Sequence, residues 1–464
     1  MRARVDRLGA GDLATLWAEE PATPFHIGLA GLLDPGPLVD EHGRLRLQEL
    51  RSAVDARLAR VPELRRRVRW TGFGQGRPAV VDDHDFDIAR HLTDVDLAGL
   101  DEPGFWSWCA NRTLEPLDGD HPLWRVTLVT GLAGGQIGVL VVMHHALADG
   151  IAGAALAQRL LDPAPDTAVT AQPWRPTPPP SPFALAVDAV VSRLAAVATA
   201  LRHLPSAPKA VRAAGRDAAA TRAALAHSAP VTSLDHPIGP GRQLAVIRRS
   251  LEQVRQAGHA HGATVNDVVL TAVAGGLHEL LVGRGEPVEG LELRVSVPVG
   301  APGRARNAGG STPMVLQLPV GHLDPVSRLT RIAAVTRAAK ASRDRHYRGV
   351  LASPLLPTSL LRLSIRWLRR NGGTKVNLYV TNVPGPPRPL WLAGARLQSA
   401  VPIAPLVAGV PLAVAALSYA GELAISIQVD DAMGGLDRLG AAVADHLDRL
   451  TASDRLPAIT GRRG

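Results

Sequence analysis

The chain predicts a mixed α/β protein built as two similar lobes, each a sheet with flanking helices. Two observations carry this. Short, β-branched apolar runs alternate with amphipathic helical stretches through both halves. Between them, Trp174-Arg175-Pro176-Thr177-Pro178-Pro179-Pro180 can form neither helix nor central strand, so it reads as an extended connection. With 464 residues there is material for two or three domains with sizeable cores. The divisions expected are 1–162, a linker with bridging helices over 163–235, and 236–464.

In the first lobe, Asp12 to Trp17 begins a short helix and Pro24-Phe25-His26-Ile27-Gly28-Leu29 leads into a strand. Leu47 to Arg60 is helical, with Leu50, Val54 and Leu58 on one stripe. Val68 to Val81 is a hairpin around Gly72-Phe73-Gly74-Gln75-Gly76; it opens no helix, so it is not a dinucleotide fingerprint. Phe105 to Thr113 is helical, and Pro122-Leu123-Trp124 precedes the strand Arg125 to Val129. Beyond the linker, Ala184 to Leu204 and Pro208 to Ala226 are Ala-rich helices. The second lobe repeats the pattern: a strand over Gln243 to Arg249, a helix to His261, and a long apolar helix from Thr264 to Leu281. Strands at Leu293 to Val299 and Pro313 to Val320 follow, then a helix from Ser327 to Ser342 and a strand ending in Asn382-Val383-Pro384-Gly385-Pro386. Thr264 is a plausible N-cap with Asp267 at N3; beside Asn266, that acid is either a cap or a site, and the spacing favours a cap.

The chemistry concentrates in Val139-Leu140-Val141-Val142-Met143-His144-His145-Ala146-Leu147-Ala148-Asp149-Gly150. An apolar strand ends in two histidines, an acid four residues on, and a glycine that turns the chain into the helix Ala152 to Leu161. Strand side chains alternate faces, so His144 and His145 diverge and only one can enter a given cleft. Imidazole, with a reference pKa of about 6.5, suits general acid–base work there. The plain alternatives are a surface turn or a metal site. Divergent histidines and the lack of a helical His-Glu-x-x-His argue against metal, and none is expected.

Hydrophobic content of 46% fits a globular protein. The single cysteine, Cys109, excludes an internal disulfide and sits between tryptophans as a buried thiol would. A net charge of +9 suits an anionic partner: nucleic acid, an acidic membrane surface or the phosphates of a small-molecule substrate. With 3% aromatics and no basic–aromatic run, nucleic acid is not expected. The N-terminus lacks a signal-peptide core. The uncharged window Leu397 to Gly421 holds Pro402, Pro405 and Pro411, and Leu412 to Leu417 with Leu423 to Val429 reads as two buried strands around Ala420-Gly421, so no membrane-spanning helix is expected.

His144-His145-Ala146-Leu147-Ala148-Asp149-Gly150 resembles the HHxxxDG signature of the chloramphenicol acetyltransferase superfamily, which also contains non-ribosomal peptide condensation domains. The neighbouring motifs narrow this. Pro24 to Gly28, Pro122-Leu123-Trp124, Pro237-Ile238-Gly239-Pro240, Val265 to Leu270, Asn382 to Pro386 and Ser418-Tyr419-Ala420-Gly421 together resemble bacterial wax ester synthase/diacylglycerol acyltransferases over nearly the whole chain. Departures fall at Gly9, Asp235, Gly300 to Arg304, Gly310-Ser311 and Thr381.

The resemblance implies two chloramphenicol-acetyltransferase-like domains with a tunnel between them and His145 inside. It implies transfer from acyl-CoA to diacylglycerol or a fatty alcohol, with His145 as general base and no acyl-enzyme, metal or other cofactor. His144 is then a supporting residue, Asp149 a structural anion, and Asn266 or a backbone N–H near Gly150 an oxyanion donor. Pro122, Leu123, Trp124, Asp267 and Asn382 are binding or structural motif residues. A tailoring acyltransferase for a small natural product or sugar lipid is the rival enzyme reading, and a catalytically silent lipid-binding protein the non-enzyme one.

A further stretch, residues 360–370, separates at about 100° per residue into an apolar side and Arg362, Arg366, Arg369 and Arg370, with Trp367 on the apolar side. Either it packs on the core or it anchors at an interface. The expectation is a cytoplasmic protein held peripherally on the inner membrane or on lipid droplets through this helix.

Overall fold

In the computed structural model, residues 5–148, 150–167, 169, 173–202, 228–299, 312–343, 362–363, 365–366, 375–407 and 409–452 are described. The first lobe runs α1 (Ala10–Ala18), β1 (His26–Leu33), α2 (Leu47–Arg57), β2 (Arg66–Arg69), β3 (Ala79–Asp82), α3 (Ile88–His91), β4 (Leu92–Asp96), α4 (Glu102–Arg112), β5 (Trp124–Thr130), β6 (Ile137–His144) and α5 (Gly150–Leu160). Helix α6 (Pro182–Arg202) follows the proline-rich tract, whose residues 173–180 have no regular structure. The second lobe comprises β7 (Arg242–Ser250), α7 (Leu251–Ala260), α8 (Val265–Gly283), β8 (Glu292–Val299), β9 (Thr312–Pro319) and α9 (Pro325–Arg343). It continues with β10 (Leu378–Pro384), β11 (Trp391–Leu392), β12 (Ala395–Ile403), β13 (Leu412–Tyr419), β14 (Glu422–Asp430) and α10 (Leu436–Ala452).

Two six-stranded sheets result, in the orders β11-β12-β1-β6-β5-β4 and β7-β14-β13-β10-β8-β9. Both are mixed: β4 runs parallel to β5, and β10 parallel to β8 and β13, while the other pairs are antiparallel. One excursion crosses the expected lobe division. Strands β11 and β12, late in the chain, join the first sheet, with β12 against β1 from Gly28↔Ile403 to Leu33↔Leu397. The uncharged window therefore holds most of β12 and all of β13, and Pro402 sits within β12 opposite Leu29.

Burial explains the layers. One face of the first sheet packs Val126, Leu128 and Val139 with Leu50, Val54 and Leu156 of α2 and α5. Its other face packs Leu140, Val142 and Val401 against Phe105, Trp106 and Cys109 of α4, and Leu244 and Ala424 of the second sheet join the same cluster. The lobes thus share apolar core. In the second lobe, α8 is apolar on nearly every side and is buried between sheet and helices. Gly275 and Gly276 let α10 approach so closely that a Cβ there would lie 2.5 Å from the His446 ring and 2.4 Å from Val443. Strands β13 and β14 join through Ala420 and Gly421, with φ of 48° and 88°, the two left-handed residues of a tight hairpin.

The stretches Pro208 to Ala226 and most of 360–370 lie outside the described residues. Two described helices are long and apolar enough to cross a membrane, α8 and the Pro182–Thr199 part of α6. The first is mostly buried in the core, the second mostly exposed.

Candidate active site

Strand β6 is buried along almost its whole length between β1 and β5, so its C-terminal end is held from both sides. The His144 N–H donates to the Leu123 carbonyl at 2.9 Å, and the His145 N–H donates to the Phe25 carbonyl at 2.8 Å. A turn follows, closed by the Leu147 N–H donating to the His144 carbonyl at 2.9 Å, and Gly150 opens α5. Asp149 lies outside the described residues. His144 is 2% exposed, whereas His145 is half-buried, in keeping with divergent faces.

The motif around Pro122 is the mount for this turn. Trp124 is buried, its Nε1–H donates to the Leu64 carbonyl at 2.7 Å, and its ring stacks on His91 with centroids 4.5 Å apart. Its carbonyl accepts the His91 Nδ1–H at 2.8 Å, so Leu123 presents its own carbonyl to His144 from a fixed strand start.

Behind the turn lies a cluster that the sequence reading did not single out. Glu19, at the C-terminal end of α1, places Oε1 3.5 Å from His26 Nε2 and Oε2 3.5 Å from His144 Nε2. Oε1 also accepts the Phe25 N–H at 3.3 Å. Burial raises the Glu19 pKa, but the His144 contact and the fields of His144 and His26 outweigh it and hold the carboxyl below its ordinary range. Burial lowers His26 despite its hydrogen bond to the Thr113 carbonyl at 2.7 Å and the nearby Glu19 charge. Two histidines and a glutamate could look like a metal site, yet His144 Nδ1 accepts the Ala146 N–H at 2.9 Å. Neutral His144 must then carry its proton on Nε2, which leaves no lone pair there for a metal. His26 was legible as the lead-in to a strand and as part of the Pro24 to Gly28 motif, and nothing local distinguishes Glu19 from its neighbour Glu20.

The second-lobe candidates are placed elsewhere. Asp267 is buried and accepts from the Thr264 N–H at 2.9 Å, the Thr264 hydroxyl at 2.7 Å and the Thr336 hydroxyl at 2.7 Å. It is a helix cap that also ties α8 to α9, as the spacing predicted. Asn266 is half-buried in the first turn of α8. Asn382 is half-buried in β10 beside Ala416 of β13. The neighbouring Gly385 N–H donates to the Ser418 hydroxyl at 3.1 Å, and a Cβ on Gly385 would lie 2.1 Å from the Ser418 carbonyl. Tyr419 donates to the Leu397 carbonyl at 2.8 Å, which fastens β13 to β12 of the first sheet. Cys109 is fully buried, and burial pushes its thiol well above the ordinary range, so it is no nucleophile.

Arg242 was also missed. It is 1% exposed, paired with the equally buried Asp430 at 3.4 Å, and donates to the Ala22 carbonyl in the loop after α1. Its backbone exchanges hydrogen bonds with the Asn111 side chain of α4 at 2.9 and 2.7 Å, which ties the first lobe to the start of β7. Arg362 and Arg366 are exposed, as is Leu363 at 63%; Trp367, Arg369 and Arg370 lie outside the described residues.

Two mixed sheets with this crossover, and a histidine at the end of the central strand, define a chloramphenicol-acetyltransferase-like fold. The chain is similar throughout to two solved structures. One is the wax ester synthase/diacylglycerol acyltransferase of Marinobacter aquaeolei VT8, with a TM-score of 0.69 at 20% identity over 97% of this chain and 100% of that one. The other is the first condensation domain of the calcium-dependent antibiotic synthetase, with a TM-score of 0.61 at 18% identity over 97% of each. Residues 8–269 match the wax ester synthase/diacylglycerol acyltransferase catalytic domain, and residues 311–451 match the WS/DGAT C-terminal domain. The chain belongs to the wax ester synthase/diacylglycerol acyltransferase family, a family of O-acyltransferases. Among its relatives are two putative diacylglycerol O-acyltransferases of Mycobacterium bovis. One is 29% identical over 94% of both chains, and the other is 32% identical over 84% of this chain and 80% of its own.

Proposed function

We propose that this protein transfers an acyl group from acyl-CoA to the hydroxyl of diacylglycerol or a long-chain alcohol, with His145 as general base. The observation that carries the reading is the placement of His145, half-buried at the end of β6 with its backbone fixed by Phe25. A neutral hydroxyl attacks a thioester slowly unless its proton leaves as the new bond forms, and a positioned base is worth about 10²–10⁴-fold. His145 takes that proton, the alcohol oxygen bonds to the thioester carbon, and the tetrahedral intermediate expels the CoA thiolate. The thiolate recovers the proton from the imidazolium. No residue is acylated, and the reaction as written uses acyl-CoA as co-substrate with no redox cofactor.

The developing oxyanion calls for donors worth about 2.7–4 kcal/mol each. Backbone N–H groups at the start of α5 are the donors we favour, because the helix begins at Gly150, five residues beyond His145. The acyl tunnel would run between the lobes, where α5 packs against β10.

Long-chain acceptors reside in lipid, so the protein works peripherally at a membrane or lipid-droplet surface. Its +9 charge supports this. So does α6, which exposes Phe183, Val190, Val191, Leu194 and Val197, and the basic segment at Arg362 and Arg366. Purified protein given labelled palmitoyl-CoA with hexadecanol, dipalmitoylglycerol or no acceptor tests the function. Label in wax ester or triacylglycerol is expected; free fatty acid alone in every arm would reject it.

A further inference from the structure

We infer that Glu19 is a positioning residue for His145, holding the backbone on both of its flanks through one carboxylate; this rests on the general-base reading of His145. The first arm runs through the loop before β1. Oε1 accepts the Phe25 N–H at 3.3 Å, and the Phe25 carbonyl accepts the N–H of His145 itself at 2.8 Å. The second arm runs through the neighbouring histidine. Oε2 faces His144 Nε2 at 3.5 Å, and His144 Nδ1 accepts the N–H of Ala146, the residue after His145, at 2.9 Å.

Each link has a fixed polarity. The Ala146 bond commits the His144 Nδ1 lone pair, so the proton of the neutral ring sits on Nε2. That N–H is buried, has no closer acceptor among the described residues, and faces the Glu19 charge. At 3.5 Å the contact is a charge–dipole attraction rather than a short hydrogen bond. Both arms therefore bring an N–H group within 3.5 Å of the same carboxylate. Only a group with two acceptor atoms serves both, and a carboxylate is that group. A glutamine keeps the shape and one acceptor, but its NH₂ must then meet an N–H head-on in one arm. His26 does not compete for the carboxylate while neutral. Its Nδ1–H is committed to Thr113, so in the neutral ring the Nε2 that stands 3.5 Å from Oε1 carries no proton.

The carboxylate itself is held in place. Glu19 caps the end of α1, the Thr23 N–H closes back on the Glu20 carbonyl at 2.9 Å, and Arg242 of the second lobe donates to the Ala22 carbonyl. Helix end, loop and inter-lobe arginine thus fix Glu19, and Glu19 fixes the turn.

The test compares Glu19→Gln, Glu19→Ala, His144→Ala and the double variant Glu19→Gln/His144→Ala. Thermal melts accompany kcat and KM for acyl-CoA. Displacing a reacting group by about 1 Å costs about 100-fold. For Glu19→Gln we expect kcat to fall roughly 10- to 100-fold, with KM nearly unchanged and a melt close to wild type. The double variant should lose less than the product of the single losses, because the second arm is already gone in His144→Ala. Spectra of ¹⁵N-histidine-labelled protein, with His144 assigned from its variant, should show an Nε2–H ring that shifts in Glu19→Gln. This readout stands even if the wild type forms no ester, an outcome that would reject the functional reading instead. Wild-type kcat in Glu19→Gln, multiplicative losses, or an Nδ1–H ring on His144 would each overturn the positioning role.

Discussion

Asp267 offers the sharpest separation between a structural and a chemical role. In Asp267→Ala, α8 loses the acceptor for the Thr264 N–H and hydroxyl, and α9 loses the partner of the Thr336 hydroxyl. The Thr264 contacts lie at an exposed cap, where such a loss costs about 1 kcal/mol. Thr336 is 1% exposed, and a buried hydrogen bond to a charged group contributes about 1.5–3 kcal/mol. Its hydroxyl retains the Ala333 carbonyl at 3.1 Å as an acceptor, so the lower part of that range applies. The total is about 3 kcal/mol, a fall in melting midpoint of roughly 6–12 °C for a lobe of this size. Thermal and urea melts measure it, and ester formation per folded molecule at 25 °C should stay within about threefold of wild type, since no reacting atom is displaced. A variant that melts like wild type but forms no ester would refute the cap reading and return the Asn266-Asp267 pair to the chemistry.

Arg242→Met should lower stability by about 3–5 kcal/mol by leaving Asp430 buried without its cation, measurable as a shift of the urea midpoint. Acid should destabilise the protein from near pH 6.5 downward. Burial lowers His26, His91 and His446 below that ordinary value, so the unfolded chain takes up protons first. Their contribution is complete above pH 6.5 and is lost as pH falls through the folded values, which urea melts at pH 8, 6 and 5 will follow. Replacing Leu194 and Val197 of α6 with asparagine should weaken co-sedimentation with anionic liposomes, as should Arg362→Gln/Arg366→Gln, the latter only at low salt. Unchanged sedimentation of both sets would remove both surfaces as anchors.

Local signals in the sequence were read well where local physics decides. The apolar run into His144-His145 forms a central strand, the Thr264–Asp267 spacing forms a cap, and Ala420-Gly421 forms a hairpin turn. What escaped depends on contacts between distant parts of the chain. Nothing within Ala395–Ile403 says that it pairs with β1, more than 360 residues earlier, rather than with the strands beside it in sequence. Helix α10 was different, since Leu436, Leu439, Val443, Leu447 and Leu450 are spaced for one buried stripe that the sequence reading passed over. Glu19 and Arg242 could not have been found this way. Each is one of many charges, and its importance comes from what burial and distant carbonyls place around it.

The central claim is that His145 removes the acceptor's proton. The direct measurement is the rate of labelled ester formation from palmitoyl-CoA by His145→Ala beside wild type, on protein shown by thermal melt to be folded. The account predicts an unchanged melt and a rate lower by about 10²–10⁴-fold, with His144→Ala losing less. Ester formation by folded His145→Ala at close to the wild-type rate would contradict it.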